Sequence, residues 1–532
     1  MAGSMQSSSG GIAGRIVRAA GAQGLNQLAR IVQLFLLVPI CLSAWGTAAY
    51  EDWLLLNSIV AFLVLADLGF VQFTTVKLID AWSRGDRECF SREWGLALGV
   101  FAALSAALIC LLGVSWADPA WTSVIPARQL HEVELASVAA LLSLGQVWSI
   151  LITLGLGAYR ARGDLSRSYH VSSILVLLQT AGVALPAWLG YGLEAAAAAS
   201  CIVTGATLIA VFVDLCLRYP DITWKLIWPS IAELRQRVLG ATGYLVSPVA
   251  TTIMVNGPNL ILANSGAPPG TIALFATTRT IAGVARQLPY QFAHPAGVEL
   301  AGLLARNARK ELARVYENAS RALAVAVGML SGATVVVAPL VMMLWTRGKV
   351  VYDADLMLLL VGTTVVCAPA QVAVTFLWYG GRPGQLNKAL AFSTVLAMGL
   401  AILLAPWFQA RGVAAGLGVG EIAGIAVYLS LLVDPLLERK TGSGLLGNFW
   451  VSVLSFSASA ASGYAVHEMI GPRGWFGLLE FGVAWAIPAA VAVYWLFLSR
   501  PRRARVMAAA TGLVRSRRAK SRMKNANPAE LG

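Results

Sequence analysis

The chain contains 532 residues, of which 58% are hydrophobic and 12% are charged, and its mean hydropathy is +0.70. This composition excludes a water-soluble globular protein and is typical of a protein embedded in a membrane. The formal net charge is +14. Because the basic residues concentrate in alternate gaps between apolar stretches, the charge indicates membrane topology and a basic tail that can touch anionic lipid, and we expect no nucleic-acid partner.

Fourteen apolar stretches are each long enough to cross about 30 Å of hydrocarbon as a helix. We predict spans over residues 22–43, 53–73, 94–116, 133–157, 169–189, 193–215, 238–263, 271–296, 320–345, 355–378, 389–407, 411–433, 449–470 and 475–498. Most of the 40 Lys and Arg residues fall in every second gap or in the terminal segments. The sequence therefore predicts an all-α, polytopic membrane protein with about 14 transmembrane helices and with both termini in the cytoplasm.

An internal repeat is visible within these spans. Pro186 followed by Gly192 recurs, at a constant offset, as Pro406 followed by Gly412. The offset maps the fifth span onto the eleventh and predicts two six-helix lobes in a parallel pseudo-twofold repeat. The predicted units are a cytoplasmic N-terminal segment (1–21), an N-lobe (22–215), a cytoplasmic linker (216–237), a C-lobe (238–433), two further spans (434–498) and a basic cytoplasmic tail (499–532).

The chain offers little that is typical of an enzyme. Its six cysteines and four histidines are dispersed, so we predict no disulfide framework, no metal site and no cofactor. Glu51 and Asp52, in the first external turn, could imitate an acidic catalytic pair, yet the longest external connection, about Ala117 to Glu132, is short. We expect these two carboxylates to be a solvated negative cap at a helix N-terminus.

Polar side chains inside the predicted spans carry the functional signal, because each is costly in hydrocarbon and tends to face a cavity. The first span places five of them on one helical face: Gln23, Asn26, Gln27, Arg30 and Gln33. The eighth span holds Arg279 and Arg286 two turns apart on one face, and Gln287, Gln291 and His294 continue its polar character toward the inner side.

Two carboxylates, Asp67 in the second span and Glu421 in the twelfth, oppose the three intramembrane arginines, so the interior is predicted to be cationic. Arginine matches phosphate through two hydrogen bonds. We therefore predict substrate-binding roles for Arg30, Arg279, Arg286, Gln27, Asn26 and Gln23, and ion-coupling roles for Asp67 and Glu421. The alternative is that Arg30 or Arg279 pairs with Asp67 or Glu421 and only holds helices together.

The polar stripe of the first span, Asp67-Leu68-Gly69-Phe70, the turn at Gly163 to Leu165, and the segment Phe275 to Arg279 resemble bacterial polysaccharide flippases of the multidrug/oligosaccharidyl-lipid/polysaccharide exporter superfamily. The similarity covers about residues 12–498. It implies two six-helix lobes around a central cavity plus two more helices. It also implies an inner-membrane protein, and arginines of related lipid II flippases suggest cavity roles for Arg30 and Arg279.

This resemblance implies ion-gradient-coupled flipping of undecaprenyl-pyrophosphate-linked oligosaccharides, as in lipopolysaccharide or exopolysaccharide assembly, to the outer leaflet by alternating access. Its partners are then a lipid-linked anionic glycan, membrane lipids and other polysaccharide-assembly proteins. Three alternatives stay open: a lipid II flippase, a cation-coupled multidrug exporter and a membrane glycan polymerase or ligase. The exporter predicts a more acidic cavity, and the polymerase or ligase predicts a larger external loop.

Overall fold

The computed structural model describes residues 9–117, 119–222, 224–291, 293–438 and 443–497. Every regular element within these residues is helical, which confirms the predicted all-α membrane fold. The predicted tail 499–532 and the first eight residues of the N-terminal segment lie outside the described residues.

In chain order the helices are α1 (Ser9–Ala61), α2 (Phe70–Ser83), α3 (Arg87–Ala117), α4 (Glu132–Ala161), α5 (Leu165–Trp188), α6 (Leu193–Arg218), α7 (Ile231–Asn264), α8 (Thr271–Tyr290), α9 (Ala293–Ala305), α10 (Arg309–Thr346), α11 (Ala354–Cys367), α12 (Gln371–Tyr379), α13 (Pro383–Glu421), α14 (Leu429–Val433), α15 (Ser443–Ile470) and α16 (Gly474–Phe497). Below, α1–α6 are called the N-terminal half and α7–α14 the C-terminal half.

Ten described segments are long and apolar enough to cross a membrane. Two of them, Gly21–Asp67 and Pro383–Leu437, each contain two helices. The helices are separated by the non-helical residue Gly46 in the first and by the non-helical residue Gln409 in the second. The arginine-bearing helix α8 and the last helix, α16, are not among the ten. If each of the two segments that contain two helices is counted as two crossings, and α8 and α16 are added, the described residues contain 14 crossings, as the sequence predicts.

The second predicted span, 53–73, is not continuous. A 3₁₀ helix, Phe62–Asp67, ends in two left-handed residues, Leu68 at φ 49° and Gly69 at φ 79°, before α2 begins. The Asp67 carboxylate accepts the Gly69 N–H at 2.6 Å and so stabilises this break. A Cβ atom on Gly69 would lie 2.8 Å from the Ala241 carbonyl oxygen of α7, so the two halves also approach each other closely at this break.

The predicted inner loops lie together at one end of the bundle, here called the basic end, which contains the turns at Arg84, Arg162, Arg218 and Arg306. Arg162 donates to both carboxylate oxygens of Asp221 at 2.6 and 2.9 Å, and its guanidinium stacks on the Trp82 ring at 3.9 Å. Hydrogen bonds from Arg162 hold the pKa of Asp221 below its ordinary value. Between the halves, Arg237 of α7 pairs with Glu93 of α3 at 2.9 Å.

The other end of the bundle, here called the opposite end, overturns one expectation. Glu51 and Asp52 are each only 1% exposed, so the prediction that they are solvated is wrong. The Glu51 carboxylate accepts backbone N–H groups at the start of α8, in the C-terminal half, and pairs with Arg128; the four donors are Gly270 (3.0 Å), Ile272 (2.8 Å), Ala273 (3.1 Å) and Arg128 (2.9 Å). Asp52 accepts the N–H groups of residues 128, 129 and 130.

Sequence reasoning missed this burial because it needs a distant partner. A carboxylate buried among backbone N–H donors and one guanidinium is satisfied without water, and a helix N-terminus favours its negative charge. Glu51 therefore ties the two halves together at the opposite end.

Candidate functional site

A cavity of about 540 Å³ lies in the C-terminal half, between α7, α8, α11, α12 and α13. This volume falls in the range of pockets that bind small ligands. Leu34 of α1 contributes the N-terminal half's side of the lining. The cavity brings together three residues predicted to be functional: Arg279, Arg286 and Glu421.

Arg279 is held by helix α7 through backbone atoms. Its guanidinium donates to the Met254 carbonyl oxygen at 2.8 Å and to the Val255 carbonyl oxygen at 2.9 Å. Pro258 lies within α7 and has no N–H, so it cannot supply the helical hydrogen bond that the Met254 carbonyl would otherwise accept. The alternative in which Arg279 pairs with Asp67 or Glu421 is therefore wrong, because the groups that its guanidinium bonds are neutral carbonyls.

Arg286 is the partner of Glu421. The two side chains form a bidentate pair with N–O distances of 2.7 and 3.1 Å between α8 and the end of α13. The Glu421 side chain is 11% exposed, whereas that of Arg286 is 38% exposed. The guanidinium therefore presents part of its surface to the cavity while its carboxylate partner is largely covered.

Glu421 stands where the backbone changes its helical winding. A π-helical turn, Ile422–Tyr428, follows it directly, and such turns are frequent at functional sites. Gly424 lies in this turn, where a Cβ atom would overlap Ser393 of α13, and the Ser393 hydroxyl donates to the Gly420 carbonyl oxygen at 2.9 Å. Close backbone packing thus fixes the segment that carries the carboxylate.

The first helix positions its polar stripe outside this cavity. Arg30 is exposed and makes no hydrogen bond or ion pair with a described residue, so it too does not pair with Asp67 or Glu421. Gln23 donates to Gln291 at 3.3 Å, and Asn26 donates to the Ser172 hydroxyl of α5 at 3.3 Å. Gln27 is half-buried.

Asp67, the other predicted ion-coupling residue, is half-buried at the break in the second span and is not part of the cavity lining. The structure therefore separates the two predicted ion-coupling carboxylates.

Sequence reasoning missed several polar residues of the lining. Gln371 begins α12 directly after a 3₁₀ turn that contains Pro369, and this proline was the available signal for a break in that span. Other hydroxyl and amide groups of the lining include those of Asn259, Thr363, Thr364, Ser393 and Thr394. Such residues occur inside many apolar helices, so their type alone does not single them out.

The charges of the cavity do not cancel. Two guanidinium groups, those of Arg279 and Arg286, face one carboxylate, that of Glu421, among the residues that line it. Glu421 is engaged by Arg286, while Arg279 is satisfied by dipoles alone. A site of this kind favours a ligand group with negative charge and acceptor oxygens, such as a phosphate.

Neither a protein-family model nor a curated protein matches this sequence. Solved structures do match it. "Lipid II flippase MurJ, inward closed conformation" aligns with a TM-score of 0.65 at 12% identity, over 88% of this chain and 98% of that one. The fold of this chain is therefore similar to that of this flippase.

Two multidrug resistance MATE family transporters of the MOP superfamily also have a similar fold. An inward-facing one aligns with a TM-score of 0.61 at 18% identity, over 84% of this chain and 100% of that one. An outward-facing one gives 0.57 at 18% identity, over 80% and 97%. The likeness covers most of the chain and concerns the fold, so the substrate has to be argued from the cavity.

Proposed function

We propose that this protein is a flippase that moves undecaprenyl-pyrophosphate-linked oligosaccharide repeat units from the cytoplasmic to the outer leaflet of a bacterial inner membrane. The proposal rests on the net positive charge of the cavity, which has two guanidinium groups and one carboxylate among its described lining residues. Arg279 retains an uncompensated positive charge beside Arg286 in a cavity of about 540 Å³ within a fold similar to that of transporters. A pyrophosphate offers the charge and the acceptor oxygens that two guanidinium groups favour.

In this proposal the basic end faces the cytoplasm, as the distribution of Lys and Arg predicts. The phosphates enter from that side, the sugars occupy the cleft between the two halves, and the polyprenyl chain stays in lipid. The halves act as the two predicted lobes and rock about each other. Glu51 holds the opposite end closed until the contact with α8 breaks.

Glu421 serves as the ion-coupling residue. While no anion is bound, its carboxylate neutralises Arg286; when a phosphate takes Arg286, the carboxylate is released and can bind a proton or a sodium ion. In the proposed cycle, the Arg286 guanidinium therefore binds Glu421 and the substrate phosphate in turn. Asp67 has a capping role at the helix break, and we propose no ion binding there.

A lipid II flippase is the second candidate, because lipid II also carries a pyrophosphate and one aligned structure is named for it. An exporter of cationic drugs is disfavoured by the positive surplus of the cavity.

The test is a substrate panel in proteoliposomes with leaflet-resolved detection of three fluorescent substrates. These are an undecaprenyl-pyrophosphate oligosaccharide, lipid II and a lipophilic cationic dye. We expect protein-dependent movement of the oligosaccharide lipid, faster than that of lipid II and with no movement of the dye. Preferred movement of lipid II would replace the proposal by the second candidate, and movement of the dye alone would refute an anion transporter.

A further inference from the structure

Uncharged hydrogen-bonding side chains form a layer between the arginines and the basic end. Gln23 of α1 donates from Nε2 to Oε1 of Gln291, which lies just after α8, so this bond joins the two halves. Its length of 3.3 Å is beyond the usual range for an N–H···O bond, which makes it weak. One helical turn deeper, Asn26 bonds Ser172 of α5 at the same distance.

These amides have unused hydrogen-bonding capacity. Asn26 is only 7% exposed, and its Oδ1 atom accepts no hydrogen bond from the described residues. A buried acceptor without a partner is costly and favours any donor that can reach it. Gln23 and Gln291 are half-buried, and each side-chain amide has two N–H donors and one acceptor oxygen, of which the bond between them uses only part.

The layer continues on the C-terminal half. His294, three residues after Gln291, contacts the Tyr379 hydroxyl through Nδ1 at 3.2 Å, and its ring meets the tyrosine ring edge-on. Both side chains are exposed. This layer, defined by Gln23, Asn26, Ser172, Gln291, His294 and Tyr379, thus contains amide, hydroxyl, phenol and imidazole groups but no carboxylate, lysine or arginine.

The arginines lie at a different height. Along α8, Arg286 is about 7 Å from Gln291, and Arg279 is about 18 Å from it, at a rise of 1.5 Å per residue. On α1, Arg30 is about 10 Å further from the basic end than Gln23 on the same scale. A ligand that enters from the basic end therefore meets the neutral layer first and the guanidinium groups beyond it.

We propose that the neutral layer is a binding subsite for the uncharged sugar residues of the lipid-linked headgroup. This inference rests on the proposed function, in which the arginines hold the phosphates. A sugar hydroxyl both donates and accepts hydrogen bonds, as a side-chain amide does, so each amide can bond neighbouring hydroxyls of one ring. A sugar that bonds Gln23 and Gln291 replaces the weak bond between the two halves.

The experiment compares two probes on the purified full-length chain. One is undecaprenyl pyrophosphate carrying a neutral hexose trisaccharide, and the other is undecaprenyl pyrophosphate without sugar. The variant Gln23→Met plus Gln291→Met keeps the side-chain length and removes the hydrogen bonds. We expect its Kd for the sugar-bearing probe to rise about tenfold, as the loss of one or two hydrogen bonds implies, and its Kd for the bare probe to stay within about twofold.

Gln179→Met is the matched control, because the Gln179 amide donates to Thr204 on the next helix of the N-terminal half at 3.0 Å. It should leave both Kd values unchanged. Binding of the bare probe shows that each variant is folded and that the proposed phosphate site exists. If native protein binds both probes equally, or the double variant weakens both probes alike, the sugar subsite is refuted while the phosphate site stands. If native protein binds neither probe, the proposed function fails and this inference fails with it.

Discussion

Replacement of Glu421 by glutamine tests whether a carboxylate and an anionic ligand compete for the same guanidinium. Glu421 now holds Arg286 through two hydrogen bonds of 2.7 and 3.1 Å. An anion that binds Arg286 must displace this carboxylate. In Glu421→Gln the competing charge is gone while the side chain keeps its size, so we expect tighter binding of pyrophosphate-bearing lipid.

The magnitude follows from how well the pair is shielded. Breaking a fully buried pair costs about 3–5 kcal/mol, whereas an exposed pair contributes about 0–1 kcal/mol. Arg286 is 38% exposed and Glu421 is 11% exposed, so this pair lies between those limits, and we take about 1–2 kcal/mol. The affinity of Glu421→Gln for the lipid should then be about 5–30 times that of the native protein.

The assay is equilibrium binding of radiolabelled undecaprenyl pyrophosphate to purified protein in detergent. Asp355→Asn is the control, because it removes the same charge from an exposed pair with Arg411 at the opposite end. It should leave the affinity unchanged. An unchanged or weaker affinity in Glu421→Gln would refute partner exchange at Arg286.

The remaining predictions concern Glu51, the basic-end pair of Arg162 and Asp221, and the capped carbonyl groups of α7. Glu51→Gln weakens the contact with the start of α8, since one charge-assisted bond is lost. A cysteine introduced at Thr47, which lies beside Gly270 at this contact, should then react about fivefold faster with a membrane-impermeant maleimide. Asp221→Asn should lower stability by about 1 kcal/mol at pH 7. Because the pKa of Asp221 is below its ordinary value of 3.8, the carboxylate stabilises the fold above that value, and the difference should shrink as the pH falls through the lowered pKa. A double-mutant cycle of denaturant unfolding tests the bond from Arg279 to α7. The loss in free energy of unfolding caused by Arg279→Ala should be about 1 kcal/mol smaller in a Pro258→Ala background, because residue 258 regains its N–H there.

Each of these outcomes has a result that contradicts it. Glu194→Gln, an exposed acid in the first turn of α6, is the control for Glu51, and equal cysteine labelling in both variants would contradict the contact between halves. The stability of Asp221→Asn is measured by thermal unfolding in detergent. A loss of stability that does not depend on pH would exclude the charge of Asp221 as the cause. Additive costs of Arg279→Ala and Pro258→Ala would exclude the capping role of Arg279.

The sequence predicts those features that depend on neighbouring residues. Apolar length and hydropathy locate the crossings, and the predicted boundary between 389–407 and 411–433 coincides with the non-helical residue Gln409. The motif Asp67 to Phe70, which the sequence singles out, has a structural role that the sequence does not predict. It forms a left-handed break that packs against α7, which a hydropathy profile cannot distinguish from a continuous span.

Features that depend on distant partners were not predicted. Arg279 bonds the Met254 carbonyl group, which lacks its helical donor because Pro258, on another helix, has no N–H, and also the adjacent Val255 carbonyl group. Glu51 is buried because backbone N–H groups of α8 reach it across the boundary between the halves. Backbone donors and acceptors carry no residue type, so neither contact leaves a mark in the amino-acid pattern.

The central claim is that Arg279 and Arg286 hold the anionic headgroup during translocation. The most direct measurement is the leaflet-resolved movement of a fluorescent undecaprenyl-pyrophosphate oligosaccharide in proteoliposomes, with Arg279→Gln plus Arg286→Gln compared with the native chain. Arg84→Gln, in an exposed pair with Asp80 at the basic end, is the control. We expect native and control rates to agree and the double variant to lose protein-dependent movement. A native rate in the double variant would contradict the account.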